Sequence, residues 1–72
     1  MATAAATATF EPHTKRLFIS SLDGRRLAIH QLRTSSHDAR DRALAASGFA
    51  VERGWVYLPG GQVFRAVLRT TN

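Results

Sequence analysis

The stretch GWVYLPGGQVFRAVLR, residues 54–69, reads as a β-hairpin, and the fold follows from it. Two runs rich in β-branched and aromatic residues, Trp55-Val56-Tyr57-Leu58 and Val63-Phe64-Arg65-Ala66-Val67-Leu68, flank Pro59-Gly60-Gly61. Proline presets φ for the first central position of a tight reversal, and a following glycine accepts the positive φ that other residues resist. A three-residue loop of Pro59, Gly60 and Gly61 sets Leu58 opposite Gln62, Val56 opposite Phe64 and Trp55 opposite Arg65. One side of the ribbon then carries Val56, Leu58, Phe64, Ala66 and Leu68 as a core side. The other carries Trp55, Tyr57, Val63, Arg65, Val67 and Arg69, so two aromatics and two arginines share one surface. A two-residue loop at Gly60-Gly61 pairs Tyr57 with Phe64 instead and turns the first strand over.

Upstream, Phe49-Ala50-Val51-Glu52-Arg53 feeds the hairpin, with Gly54 as a bulge or bend. Before it, a helix is predicted over residues 37–47. Ser35 or Ser36 caps its first turn, Asp38 faces the positive end of the helix dipole, and Gly48 stands at the C′ position. Its apolar arc is Ala39, Ala43, Leu44 and Ala46, with Asp38, Asp41, Arg42 and Ala45 opposite. Residues 15–33 form a first hairpin around Asp23-Gly24, a strong hairpin signal. Phe18, Leu22, Leu27 and Ile29 fall on one side of it, and Leu17, Ile19, Ala28, His30 and Leu32 on the other. A sheet with apolar groups on both faces needs two coverings, and one helix supplies one. That shortfall points to a partner surface.

The Ala/Thr-rich start, MATAAATAT, carries no bulk to bury and lacks the basic and aliphatic regions of a secretory signal. Residues 1–12 are read as a flexible tail or a short edge strand, ended by Pro12. The predicted fold is therefore α+β: two β-hairpins joined through one α-helix (ββαββ), in a four-stranded antiparallel sheet with the helix on one face, as a single domain over residues 13–70. A winged helix is the rival fold. It needs two further helices where residues 15–32 read as strands.

Seventy-two residues make one domain at most, and so short a chain buries only about 60% of its unfolded surface. Stability shared with a second copy, a homodimer, is the corresponding expectation. No cysteine is present, so no disulfide or cysteine-ligated zinc staples the fold, and a reducing, cytoplasmic compartment is expected. No apolar run approaches the ~20 residues of a membrane span. Ten Lys+Arg against five Asp+Glu give a net charge of +5, and nine of the ten bases are arginine. Arginine suits bidentate phosphate contacts, although a codon bias toward arginine and alanine produces the same count.

Catalytic groups are sparse. His13, His30 and His37 lie at no metal-ligand spacing, and the five acids are scattered, so neither an enzyme nor a cofactor is expected. Ser20, Ser21 and His30 are neighbours across the first hairpin, but no acid on those strands orients them. The candidate binding set is Trp55 and Tyr57 as stacking surfaces, with Arg65, Arg69 and Arg53 for phosphates and Arg25 and Arg26 at the tip of the first hairpin. The leading expectation is a non-enzymatic module that binds DNA or RNA through an aromatic and arginine sheet face. Because Trp, Tyr and Arg also make protein hot spots, the alternative is a protein-binding regulator or inhibitor, for example one encoded by a phage or other mobile element, docking on a host nucleic-acid-handling complex. A small ribonuclease-type toxin is a third reading.

Overall fold

The structure, a computed structural model, describes residues 4–71. Its elements run β1 (Ala6–Glu11), β2 (Arg16–Ser21), β3 (Arg26–Gln31), α1 (His37–Ala46), β4 (Phe49–Leu58) and β5 (Val63–Thr70). The strands form one five-stranded antiparallel sheet in the order β3-β2-β1-β5-β4. The α+β class, the antiparallel sheet and the single helix agree with the sequence reading, but the sheet has five strands rather than four. The additional strand is β1, which occupies the centre of the sheet instead of being a tail or an edge. Residues 1–3 of the expected tail, and Asn72, lie outside the described residues.

The centre suits β1 because its side chains alternate in size. Ala6, Ala8 and Phe10 are fully buried beneath the helix, and Thr7 and Thr9 face the other way. Small residues at Ala6 and Ala8 let α1 approach the sheet, where Ala43 and Leu44 join Leu17, Ile19, Ala66 and Leu68 in the core. A crossing helix is also a matter of topology. The meander β1-β2-β3 ends at one edge and β4 forms the other, so the connection must traverse a whole face.

Ser36 caps α1, its side-chain oxygen accepting from the Ala39 amide at 3.2 Å, and Gly48 at φ 86 ends the helix. His30 Nε2 and the Ser47 hydroxyl, hydrogen-bonded at 2.7 Å, tie β3 to that end. The first hairpin keeps its predicted sides. Leu17 pairs with His30 and Ile19 with Ala28 on the helix side, while Phe18 pairs with Ile29 on the other. The helix arc differs: Arg40, Ala43 and Leu44 are buried, and Ala46 is exposed.

The second hairpin takes the register that the three-residue loop excludes. Leu58 pairs with Val63, Tyr57 with Phe64 and Val56 with Arg65. The loop is residues 59–62, and the positive φ falls on Gln62, at 54°, rather than on a glycine after Pro59. His13 Nε2 donates to the Gln62 Oε1 at 3.0 Å. Two register shifts in β4, between Val51 and Arg53 and between Arg53 and Val56, lengthen this strand relative to β5. No helix among the described residues is long and apolar enough to cross a membrane.

Candidate functional site

With α1 on one face, no element among the described residues covers the other face of the sheet, and the strand registers order its side chains into rows. One row crosses all five strands as Ile29, Phe18, Thr9, Arg65 and Val56. The next runs Arg26, Ser20, Thr7, Val67 and Arg53, and a shorter one runs Gln31, Arg16 and Glu11. Adjacent strands lie ~4.8 Å apart, so Arg26 and Arg53 stand on opposite edges at about 19 Å. One row ends in the arginines Arg26 and Arg53 and the other in the apolar Ile29 and Val56, while Arg16 and Arg65 stand on the inner strands β2 and β5 beside the short Thr7 and Thr9 of β1.

Five arginines, Arg16, Arg26, Arg53, Arg65 and Arg69, belong to this face, against Glu11 and Glu52. The one ion pair among the described residues joins Arg69 Nε to Glu52 Oε2 at 3.3 Å. Arg16, Arg26, Arg53 and Arg65 are exposed and make no ion pair among the described residues. The Arg26 guanidinium carbon lies 4.7 Å from the Phe18 ring centroid, a cation–π contact that rests the charged head on the sheet face while the residue remains exposed. Arg53 and Arg65 border a shallow groove of about 270 Å³ whose other walls are Val56, Leu58, Val67 and Gly54. Exposed Asp38 and Asp41 on the helix are partly balanced by exposed Arg42, whereas the uncovered face carries five arginines against two glutamates.

The sequence set is divided by this arrangement. Arg26, Arg53, Arg65 and Arg69 share the uncovered face, and Arg25 projects from the neighbouring turn, its amide donating to Asp23 Oδ1 at 3.3 Å. Trp55 and Tyr57 do not share that surface. The expected aromatic and arginine face is corrected by the register: Tyr57 packs on Phe64, with ring centroids 5.1 Å apart, and Trp55 packs against the core beneath α1. Val56 and Leu58, expected inside, face out instead.

Beneath the helix lies a residue that the sequence reading passed over. Arg40 is only 7% exposed, with its guanidinium carbon 4.7 Å from the Trp55 ring and 5.1 Å from each of the Phe10 and Phe64 rings. Its Nε and Nη1, and the indole Nε1 of Trp55, are buried without a hydrogen-bond partner among the described residues. Desolvation lowers the Arg40 pKa below the ordinary arginine value, and the nearby Asp41 charge works against that shift. A signal existed in the spacing, because Arg40 stands three and four residues before Ala43 and Leu44 and so shares their stripe. Thr7, Thr9 and Arg16 were also missed, since their face is defined only once β1 lies between β2 and β5.

The Ser–His arrangement considered from the sequence is not assembled. His30 is on the helix side with Ser47, whereas Ser20 is in a row of the uncovered face and Ser21, four residues along β2 from the Leu17 that pairs with His30, donates its hydroxyl to Asp23. Among the described residues no group of three or more His, Asp or Glu side chains is placed to hold a metal ion. Comparison with protein-family models, curated proteins and solved structures finds no significant match, so the functional reading rests on the geometry of this face.

Proposed function

We propose that this protein is a non-enzymatic module that binds nucleic acid through the uncovered face of its sheet. The observation behind this reading is the concentration of Arg16, Arg26, Arg53, Arg65 and Arg69 on a face that no other element among the described residues covers. Guanidinium groups recognise phosphate oxygens bidentately, and each contact releases condensed counterions. Affinity is therefore expected to be measurable at 50 mM salt and to fall steeply as salt rises. Replacing Arg26, Arg53 and Arg65 together by glutamine is expected to weaken binding at least tenfold with the fold intact by circular dichroism. Absence of binding to DNA and RNA, single- or double-stranded, at 50 mM salt would falsify the reading.

One observation favours a second reading, a protein partner on the same face. Ile29 and Val56, at opposite ends of one row, are 53% and 59% exposed. A partner retained after nuclease treatment and lost with Ile29→Ser is expected if these side chains anchor a protein. Size measurement at two salt concentrations, with and without nucleic acid, reads the oligomeric state in the same samples.

A further inference from the structure

We infer that the ligand of this face is a nucleic-acid duplex held by its phosphates on the two sides of a groove, not a single strand stacked on side chains; the inference rests on the nucleic-acid reading above. Single-strand binders combine a basic track with aromatic platforms for the bases. This face has one aromatic residue, Phe18, and the Arg26 guanidinium lies over its ring at 4.7 Å. Trp55, Phe10 and Phe64 surround Arg40 on the helix side, Tyr57 packs on Phe64, and Phe49 packs against the core. A base therefore meets no free ring here.

The dimensions fit a duplex. Arg26 and Arg53 stand about 19 Å apart across four strand spacings of ~4.8 Å. The major groove of B-DNA is only about 12 Å wide, so the sheet is too broad to enter it. Its edges instead reach the backbones that flank the groove. Between those edges this row holds Ser20, Thr7 and Val67, whose side chains are far too short to reach base edges on the floor of a groove about 8.5 Å deep, and the long inner-strand side chains, Arg16 and Arg65, are assigned to phosphates in this arrangement. Contacts confined to phosphates position a protein on a duplex without reading its sequence.

The test compares two 20-base-pair DNA duplexes of unrelated sequence with one of their single strands, by fluorescence anisotropy from 50 to 200 mM salt. The expected result is equal affinity for the two duplexes within twofold and at least fivefold weaker binding of the single strand. Four phosphates neutralised by Arg16, Arg26, Arg53 and Arg65 correspond to a slope of about −3.6 in log K against log salt, at roughly 0.9 per phosphate. The Arg26→Gln, Arg53→Gln double variant is expected to reduce that slope by about 1.8. A single strand bound within fivefold of the duplex, or a duplex preference beyond twofold, overturns the inference and leaves the nucleic-acid reading standing. Loss of binding to every probe overturns both.

Discussion

The Arg40 guanidinium lies 4.7 Å above the Trp55 ring, so a permanent cation sits between the helix and the sheet with two of its nitrogens unpaired among the described residues. Cation–π attraction to three rings offsets part of the desolvation cost, and no carboxylate completes the compensation. Buried ion pairs replaced by apolar chains of similar volume are commonly neutral or stabilising, and a lone buried cation carries the same desolvation cost without a paired carboxylate to offset it. Arg40→Met is therefore expected to raise the urea midpoint, by an amount equivalent to about 1 kcal/mol. Arg40→Ala, which removes the stem from the aromatic cage, is expected to lower it by about 2 kcal/mol. A destabilised Arg40→Met variant would show that the charge itself holds the helix down.

The central position of β1 makes a demand that a tail would not. A chain starting at Pro12 loses the strand between β2 and β5 and is expected to give an unfolded circular dichroism and NMR spectrum. Ala8→Leu, at a fully buried site under α1, is expected to cost about 1–3 kcal/mol through overpacking, whereas Thr9→Val on the uncovered face changes stability little. Equal melting temperatures for the Ala8 and Thr9 variants would refute the assignment of faces.

Lys15 adopts φ 58 in the turn between β1 and β2, where its amide donates to the Glu11 carbonyl at 2.7 Å. The left-handed region costs an L-residue roughly 1–2 kcal/mol, part of which glycine recovers after its own larger chain entropy is counted. Lys15→Gly is expected to stabilise the protein by about 0.5 kcal/mol, read from chemical denaturation. Because Lys15 lies outside the arginine rows, its duplex affinity should stay close to that of the parent chain.

Asp23 at the tip of the first hairpin accepts from the Ser21 hydroxyl and from the Arg25 amide. These bonds, the Ser21 one first, hold its pKa below the ordinary aspartate value of 3.8. A depressed folded-state pKa means that the contribution is fully present above pH 3.8 and is lost as pH falls through the lower folded value. The Arg25 amide resonance, followed by NMR from pH 6 downward, is expected to shift with a midpoint below 3.8, and Asp23→Asn should abolish that titration. A midpoint above that value would contradict the turn geometry.

Much of the scaffold was legible because its signals are local. Asp23-Gly24 marks a hairpin, Ser36 and Gly48 bracket a helix, and the alternation in the first hairpin assigned Leu17, Ile19, Ala28 and His30 to one side. The candidate site was half legible. Arg26, Arg53, Arg65 and Arg69 were singled out and do share a face, but Trp55 and Tyr57 were placed beside them by a register that differs by one residue. A slip of one inverts every side chain of a strand, and the observed register sets Tyr57 opposite Phe64, which itself pairs with Phe10 of the remote strand β1.

Residue order alone determined the Asp23-Gly24 turn and the helix, because each depends on neighbours within a few positions, and composition alone gives the excess of arginine. Tertiary structure decided that Ala6–Glu11 is the middle strand, that Arg40 is enclosed by rings from β1, β4 and β5, and which side of the sheet is uncovered. Those outcomes come from strand pairings between distant segments, as when Ala8 meets Ala66 on one side and Ile19 on the other. Small side chains such as these contribute little to any local pattern, yet they set how closely a helix can approach a sheet.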